Sequence, residues 1–208
     1  MEISVKHILC FGDSNTHGYI PGGGRYDDDT RWTGILRQLL GSDYMIIEEG
    51  LNGRTSSFDD PFEPFKNGMD YIIPCLETHK PLDLTILMLG SNDMKQRFSP
   101  STQKIAASLE CLARLILDVS ESPVLLVSPI LLGDNMANSD FAPSFSPEAV
   151  SISHELGAAL KDVADKLQIP FMNAADYAAP SLEDSLHLTA EGHRALAQAF
   201  YKKVLEII

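Results

Sequence analysis

Ile8-Leu9-Cys10-Phe11-Gly12-Asp13-Ser14-Asn15 is a short apolar run that breaks directly into a glycine-led polar turn. The arrangement recurs twice. Residues 44–47 lead to Gly50-Leu51-Asn52-Gly53, and residues 84–89 lead to Gly90-Ser91-Asn92-Asp93. Two further apolar runs, 124–128 and 169–172, complete a set of five strand candidates. Each is rich in Ile, Leu or Val and lacks clean alternation, as expected of strands covered on both faces.

Amphipathic stretches separate the runs. Ile105, Leu109, Leu112 and Ile116 form one helical stripe; Leu156, Leu160, Val163 and Leu167 form a second; Leu196, Phe200, Val204 and Ile207 form a third. Ser146-Pro147-Glu148 reads as a helix start, and Thr189 stands before the last helix in the same way. Strands alternating with helices predict one domain over residues 1–208, an α/β/α sandwich around a five-stranded parallel sheet of flavodoxin-like type. Right-handed crossovers would bring all strand C-terminal ends, with their three polar turns, to one edge.

Composition excludes several classes of function. Of the 208 residues, 44% are hydrophobic, enough for a sizeable core. Sixteen basic residues stand against 29 acidic ones, a net charge of −13, which disfavours nucleic acid and anionic membranes. Cys10, Cys75 and Cys111 are far apart and odd in number, so they suggest neither zinc nor disulfides and read as small buried hydrophobes. The start, Met1-Glu2-Ile3-Ser4-Val5-Lys6-His7, carries no secretion signal, and no run approaches the roughly 20 apolar residues of a membrane span. A soluble cytoplasmic protein is expected.

A serine hydroxyl is a poor nucleophile until an imidazole removes its proton, and the imidazole needs a carboxylate to hold its tautomer. Asp184 and His187, three residues apart, can share one tight turn, and Ser14 can supply the hydroxyl. No Gly-x-Ser-x-Gly elbow surrounds Ser14. Gly22-Gly23-Gly24 does not open a helix after a strand, so it is no phosphate cradle. Asp27-Asp28-Asp29 lacks the spaced ligands of a calcium loop and reads as a solvated acidic loop within a flexible 21–29 stretch. Among the other histidines, His7 and His79 read as packing or surface residues, and His154 and His193 as exposed on helix faces.

Taken in order, Gly12-Asp13-Ser14, Gly50-Leu51-Asn52-Gly53-Arg54-Thr55, Gly90-Ser91-Asn92-Asp93 and Asp184-x-x-His187 resemble the four blocks of the SGNH hydrolases, also called the GDSL esterase family. Arg31-Trp32-Thr33-Gly34, Glu48-Glu49-Gly50-Leu51, Asp59-Asp60-Pro61 and Pro81-Leu82-Asp83-Leu84 look closest to the bacterial arylesterase and acyltransferase branch. The chain departs from the family name at Asn15, where leucine is usual, and His17 stands where relatives can carry an aromatic.

The resemblance implies Ser14 as nucleophile, His187 as base and acid, and Asp184 as its partner. It also implies an oxyanion hole of the Ser14 and Gly53 N–H groups and the Asn92 amide. Asp13, His17 and Asn52 are expected beside the substrate, with Asp13 and Asp93 in supporting roles. No cofactor or metal is expected. The implied reaction is hydrolysis of short acyl esters, with acyl transfer to alcohols as an extension. A carbohydrate acetyl esterase and a noncatalytic binding module of the same fold are the alternatives. A homo-oligomer is expected, since Ile130-Leu131-Leu132 and Phe141-Ala142-Pro143-Ser144-Phe145 put apolar side chains in the long connection 129–145.

Overall fold

Strand β1 (Lys6–Gly12) sends Ile8 and Cys10 to one face and Leu9 and Phe11 to the other, and all four are buried. That two-sided burial requires helices above and below. A computed structural model describes residues 5–208; the opening residues 1–4, part of the stretch read for a secretion signal, lie outside the described residues. After β1 come a single helical turn α1 (Ser14–His17), α2 (Trp32–Leu40), β2 (Tyr44–Gly50), α3 (Gly68–His79) and β3 (Leu84–Met88). Then follow α4 (Thr102–Ser120), β4 (Val124–Ser128), α5 (Pro147–Leu167), β5 (Phe171–Asn173) and α6 (Ala190–Ile207).

The sheet is parallel throughout, in the order β2-β1-β3-β4-β5, which is the flavodoxin-like order. Helices α3, α4 and α5 pack on the Leu9–Phe11–Leu87 face, and α2 and α6 on the Ile8–Cys10–Ile86 face. The three stripes read from sequence all face the sheet, with Leu167 and Ile207 half-buried at their ends. The strand order reverses between β1 and β3, so the crevice beyond their C-terminal ends is where a ligand site is expected.

Several local readings need correction. Two helices lie outside the three stripes read from sequence: α2, although Trp32, Ile35, Leu36, Leu39 and Leu40 recur at helical spacing, and α3, which carries Pro74 inside it and buries only Gly68, Ile72, Cys75 and Leu76. Strand β5 begins at Phe171 rather than residue 169, after Pro170, which has no N–H for the ladder. Thr189 caps α6 through a bond from the Gly192 N–H at 3.2 Å, whereas Ser146 holds the N-cap position of α5 with no side-chain bond. Cys111 is exposed on α4. Asp28 and Asp29 are not free acids; they pair with Arg31, Arg37 and Gln38 and pin the 21–29 loop to α2.

In the long connection Ile130, Leu132 and Phe145 are buried in their own chain, Leu131, Phe141 and Ala142 are half-buried, and Pro143 is exposed. The most exposed large apolar side chains are elsewhere, at Phe62, Phe65 and Leu182. No helix among the described residues is long and apolar enough to cross a membrane.

His193 is fully buried between α2 and α6, not exposed. Its Nδ1 accepts the Trp32 N–H at 3.2 Å, the first free donor of α2, which explains an imidazole in a core. Burial first, then the nearby His187 and Arg31, pushes its pKa down from 6.5 to about 4. The unfolded chain therefore takes up this proton before the folded one, and the stabilisation is complete above pH 6.5 and lost as pH falls toward 4. Buried Asp93, raised to about 6, works in the opposite direction, so only the difference between variants isolates His193. The stability gap between wild type and His193→Gln should shrink by about 3 kcal/mol from pH 6.5 to 4, read by urea denaturation. A gap independent of pH would refute this account.

Candidate active site

Strand β1 ends at Gly12, where a Cβ would strike the Thr16 side chain and lie 2.9 Å from the Met88 carbonyl. Only glycine lets the chain turn this tightly against β3. Asp13 follows as the N-cap of α1, accepting the Asn15 N–H at 2.9 Å. Gly18, at φ +83°, ends the turn in the left-handed region that glycine adopts without strain. Ser14 is thus held at the head of a single helical turn beyond the strand.

Two buried side chains tie the neighbouring turns to this one. Arg54 lies flat on the Phe11 ring, 4.1 Å from its centre, and donates to the Gly12 carbonyl at 3.1 Å and to the Glu49 carbonyl. Asp93 accepts the Ser56 N–H at 3.0 Å and the Ser56 hydroxyl. Asn92 donates one amide hydrogen to the Arg54 carbonyl at 3.1 Å, which leaves its second hydrogen for another acceptor.

From the far end of the chain, Asp184 and His187 arrive on one turn. Asp184 Oδ1 accepts the Leu186 and His187 N–H groups at 3.0 and 2.9 Å, and Oδ2 meets His187 Nδ1 at 2.7 Å. Burial pushes the Asp184 carboxyl up, but the bonds from the His187 ring and the two N–H groups outweigh it and hold the carboxyl below its usual range. His187 Nε2 stands 2.8 Å from Ser14 Oγ. A carboxylate, an imidazole and a hydroxyl are therefore in hydrogen-bonded series, geometry that can strip the serine proton as the oxygen attacks.

Ser14, His187, Asn52, Gly53 and Asn92 line one cavity of about 210 Å³. Among the described residues, neither the Ser14 nor the Gly53 N–H has a protein acceptor. The Asn52 side-chain oxygen is buried and likewise unpaired. Tyr19 lies 4.4 Å from the His187 ring and Phe141 packs edge-on at 5.3 Å. Lys95, Glu63, Ser144 and Phe145 complete the polar and aromatic walls. The sequence singles out Phe141, Ser144 and Phe145 only as part of an apolar loop for self-association; Lys95 had a signal, one turn past Asn92, and Tyr19 and Glu63 had none.

Asp13 and His17, expected beside the substrate, are not among the residues that line this cavity. Asp13 uses Oδ1 in its capping bond while its buried Oδ2 has no partner among the described residues, and burial raises its pKa despite the Asn15 N–H and nearby His187. His17, at the far end of the α1 turn, faces Gly50 and Arg25; burial first and Arg25 second push its pKa down. A larger depression of about 460 Å³ lies apart, lined by Glu49, Arg54, Phe65 and Tyr71, and it holds neither Ser14 nor His187.

The structure also assembles a group that the sequence reading missed. Ligand-type atoms of Glu49, Cys75 and His79 lie within 4.8 Å of one another. Cys75 and His79 are one helical turn apart on α3, the only trace in the sequence. Glu49 and His79 are paired at 3.2 Å, and the Arg54 guanidinium near Glu49 and Cys75 opposes a second cation there.

With this geometry in view, comparison with known proteins is decisive about kinship. The model of the GDSL-like lipase/acylhydrolase family matches residues 10–195. The chain belongs to that family. Among solved structures it is similar to the native M. smegmatis aryl esterase, at 36% identity and TM-score 0.92 over 98% of this chain and 100% of that one. It is similar to Est24, a carbohydrate acetylesterase from Sinorhizobium meliloti, at 36% identity and TM-score 0.93 over the same shares. No curated protein matches. The family and these relatives make the chain an ester hydrolase, and equal identity to both leaves its alcohol to be argued from the site.

Gly53 adopts φ +80°, and a Cβ there would strike the Glu63 carboxylate. Gly53→Ala should therefore lose about 1–2 kcal/mol of stability from the left-handed backbone alone, measured by urea denaturation. A variant as stable as wild type would mean that the turn does not hold this conformation.

Proposed function

We propose that the chain is a serine esterase that removes short acyl groups, acetyl above all, from aryl or alkyl alcohols through an acyl-enzyme on Ser14. The observation that carries this reading is the hydrogen-bonded series Ser14 Oγ–His187 Nε2–Asp184, at 2.8 and 2.7 Å. Ser14 attacks the ester carbonyl while His187 takes its proton. The imidazolium, stabilised by Asp184, then returns the proton to the leaving alcohol. The Ser14 and Gly53 N–H groups and the free hydrogen of the Asn92 amide are the donors assigned to the oxyanion. Water, deprotonated in turn by His187, releases the acid.

The small cavity favours a short acyl chain, because it is below the roughly 300 Å³ at which drug-sized sites begin. Tyr19, Phe141 and Phe145 favour an apolar alcohol. Lys95, Glu63, Asn52 and Ser144 on the same wall support the second reading, an acetylated sugar. A noncatalytic module is disfavoured because each group needed for acyl transfer is in place. Comparing kcat/KM for phenyl acetate and acetylated sugars separates the two substrates.

Ser14→Ala and His187→Ala should each lower kcat by roughly four to six orders of magnitude in a folded protein, with the double variant little worse than either. Steady-state rates on phenyl acetate and fluorophosphonate labelling read this; losses that multiply would sink the assignment. The aromatic walls come from this chain itself, and His17, the polar group expected to favour water, stands outside the cavity. Acyl-Ser14 should therefore pass to a primary alcohol more often than molar competition with water predicts. The ratio of new ester to free acid, followed as alcohol rises, tests it, and a ratio at the simple competitive level would leave a plain hydrolase.

A further inference from the structure

Asn15 departs from the leucine of the family's name, and it is buried. Its side chain reaches across the molecule to both sides of His187. Oδ1 accepts the Leu188 N–H at 2.9 Å, and Nδ2 donates to the Leu186 carbonyl at 3.3 Å. Bonds to the residues before and after a given position are what a neighbouring strand makes; here one amide supplies both. The Asn15 main chain is fixed too, its N–H by Asp13 Oδ1 at 2.9 Å and its carbonyl by Trp32 Nε1 at 3.1 Å.

We propose that Asn15 is the positioning residue that sets the His187 imidazole against the Ser14 hydroxyl, a role that rests on the serine-esterase reading. The Asp184 bonds orient the ring within its own turn, but they do not join that turn to Ser14. Ser14 and Asn15 share a peptide bond, so the amide bracket transmits the place of the nucleophile directly to the backbone of the base, 173 residues away in sequence. Leucine has neither the donor nor the acceptor for this. The Leu186 carbonyl and Leu188 N–H would lose their bracket, and the 186–188 segment could shift relative to Ser14.

The test uses the full-length protein and Asn15→Ala, Asn15→Leu and Asn15→Asp. Fluorophosphonate titration counts reactive serines per chain, and kcat and KM for phenyl acetate are then expressed per titrated serine. A purely structural role would reduce the number of reactive serines or the melting temperature, not the turnover of each. Positioning predicts that kcat per reactive serine falls in the alanine and leucine variants while KM holds. The scale is set by a 1 Å misplacement, about 100-fold. Asn15→Asp keeps an acceptor for the Leu188 N–H and should retain more turnover than alanine but less than wild type. Wild-type turnover per serine in folded Ala and Leu variants would overturn the proposal. If those two fail to fold, wild-type turnover in Asn15→Asp would do so. A wild-type protein that neither labels nor turns over would remove the esterase reading and this proposal together. A labelled wild type with insensitive variants would remove only this one.

Discussion

The active edge depends on a pair of buried charges, Arg54 and Asp93, that hold three strand-end turns together. Each turn leaves backbone donors and acceptors without strand partners, and unpaired polar groups away from water cost about 1–3 kcal/mol each. Arg54 takes up the carbonyls of Gly12 and Glu49, and Asp93 takes up the donors of Ser56. The stacking of Arg54 on Phe11 anchors this brace to the core. Burial raises the Asp93 pKa to about 6, and the Ser56 bonds only partly offset it. The candidate oxyanion donors, on three separate turns, inherit their spacing from these contacts.

The acid–base partner needs a different solution because it arrives from the other end of the chain. The turn bearing Asp184 and His187 contains Ser185 at φ +61° and closes with a bridge between Pro180 and Leu188. The Gly133 N–H holds the Ser185 carbonyl at 2.8 Å, so the long 129–145 connection braces the Asp184–His187 turn. Phe141 of this connection packs edge-on against the His187 ring.

His193 shows the same logic in the second core. A helix start buried against another helix must find an acceptor for its first N–H groups, and an imidazole on α6 supplies one to Trp32. Composition and spacing treat such a histidine as a surface residue, because the group that needs it lies 161 residues earlier.

The sequence by itself determined the sheet, three of its helices and the family. Apolar runs covered on two faces and 3.6-residue stripes are local patterns, and Gly12-Asp13-Ser14, Asn92 and Asp184-x-x-His187 stand at their ends or just beyond. Helix α3 stayed hidden because Pro74 and few buried positions blur its periodicity, whereas α2 carries a legible stripe in Trp32, Ile35, Leu36, Leu39 and Leu40. The tertiary structure alone decided which polar residues meet. It brought Lys95, Glu63, Tyr19 and Phe141 around Ser14, left Asp13 and His17 out of the cavity lining, and joined Asn15 to both neighbours of His187. Those are contacts between residues tens to hundreds of positions apart, fixed by strand order and crossover rather than by any local pattern, and so they have no signature along the chain.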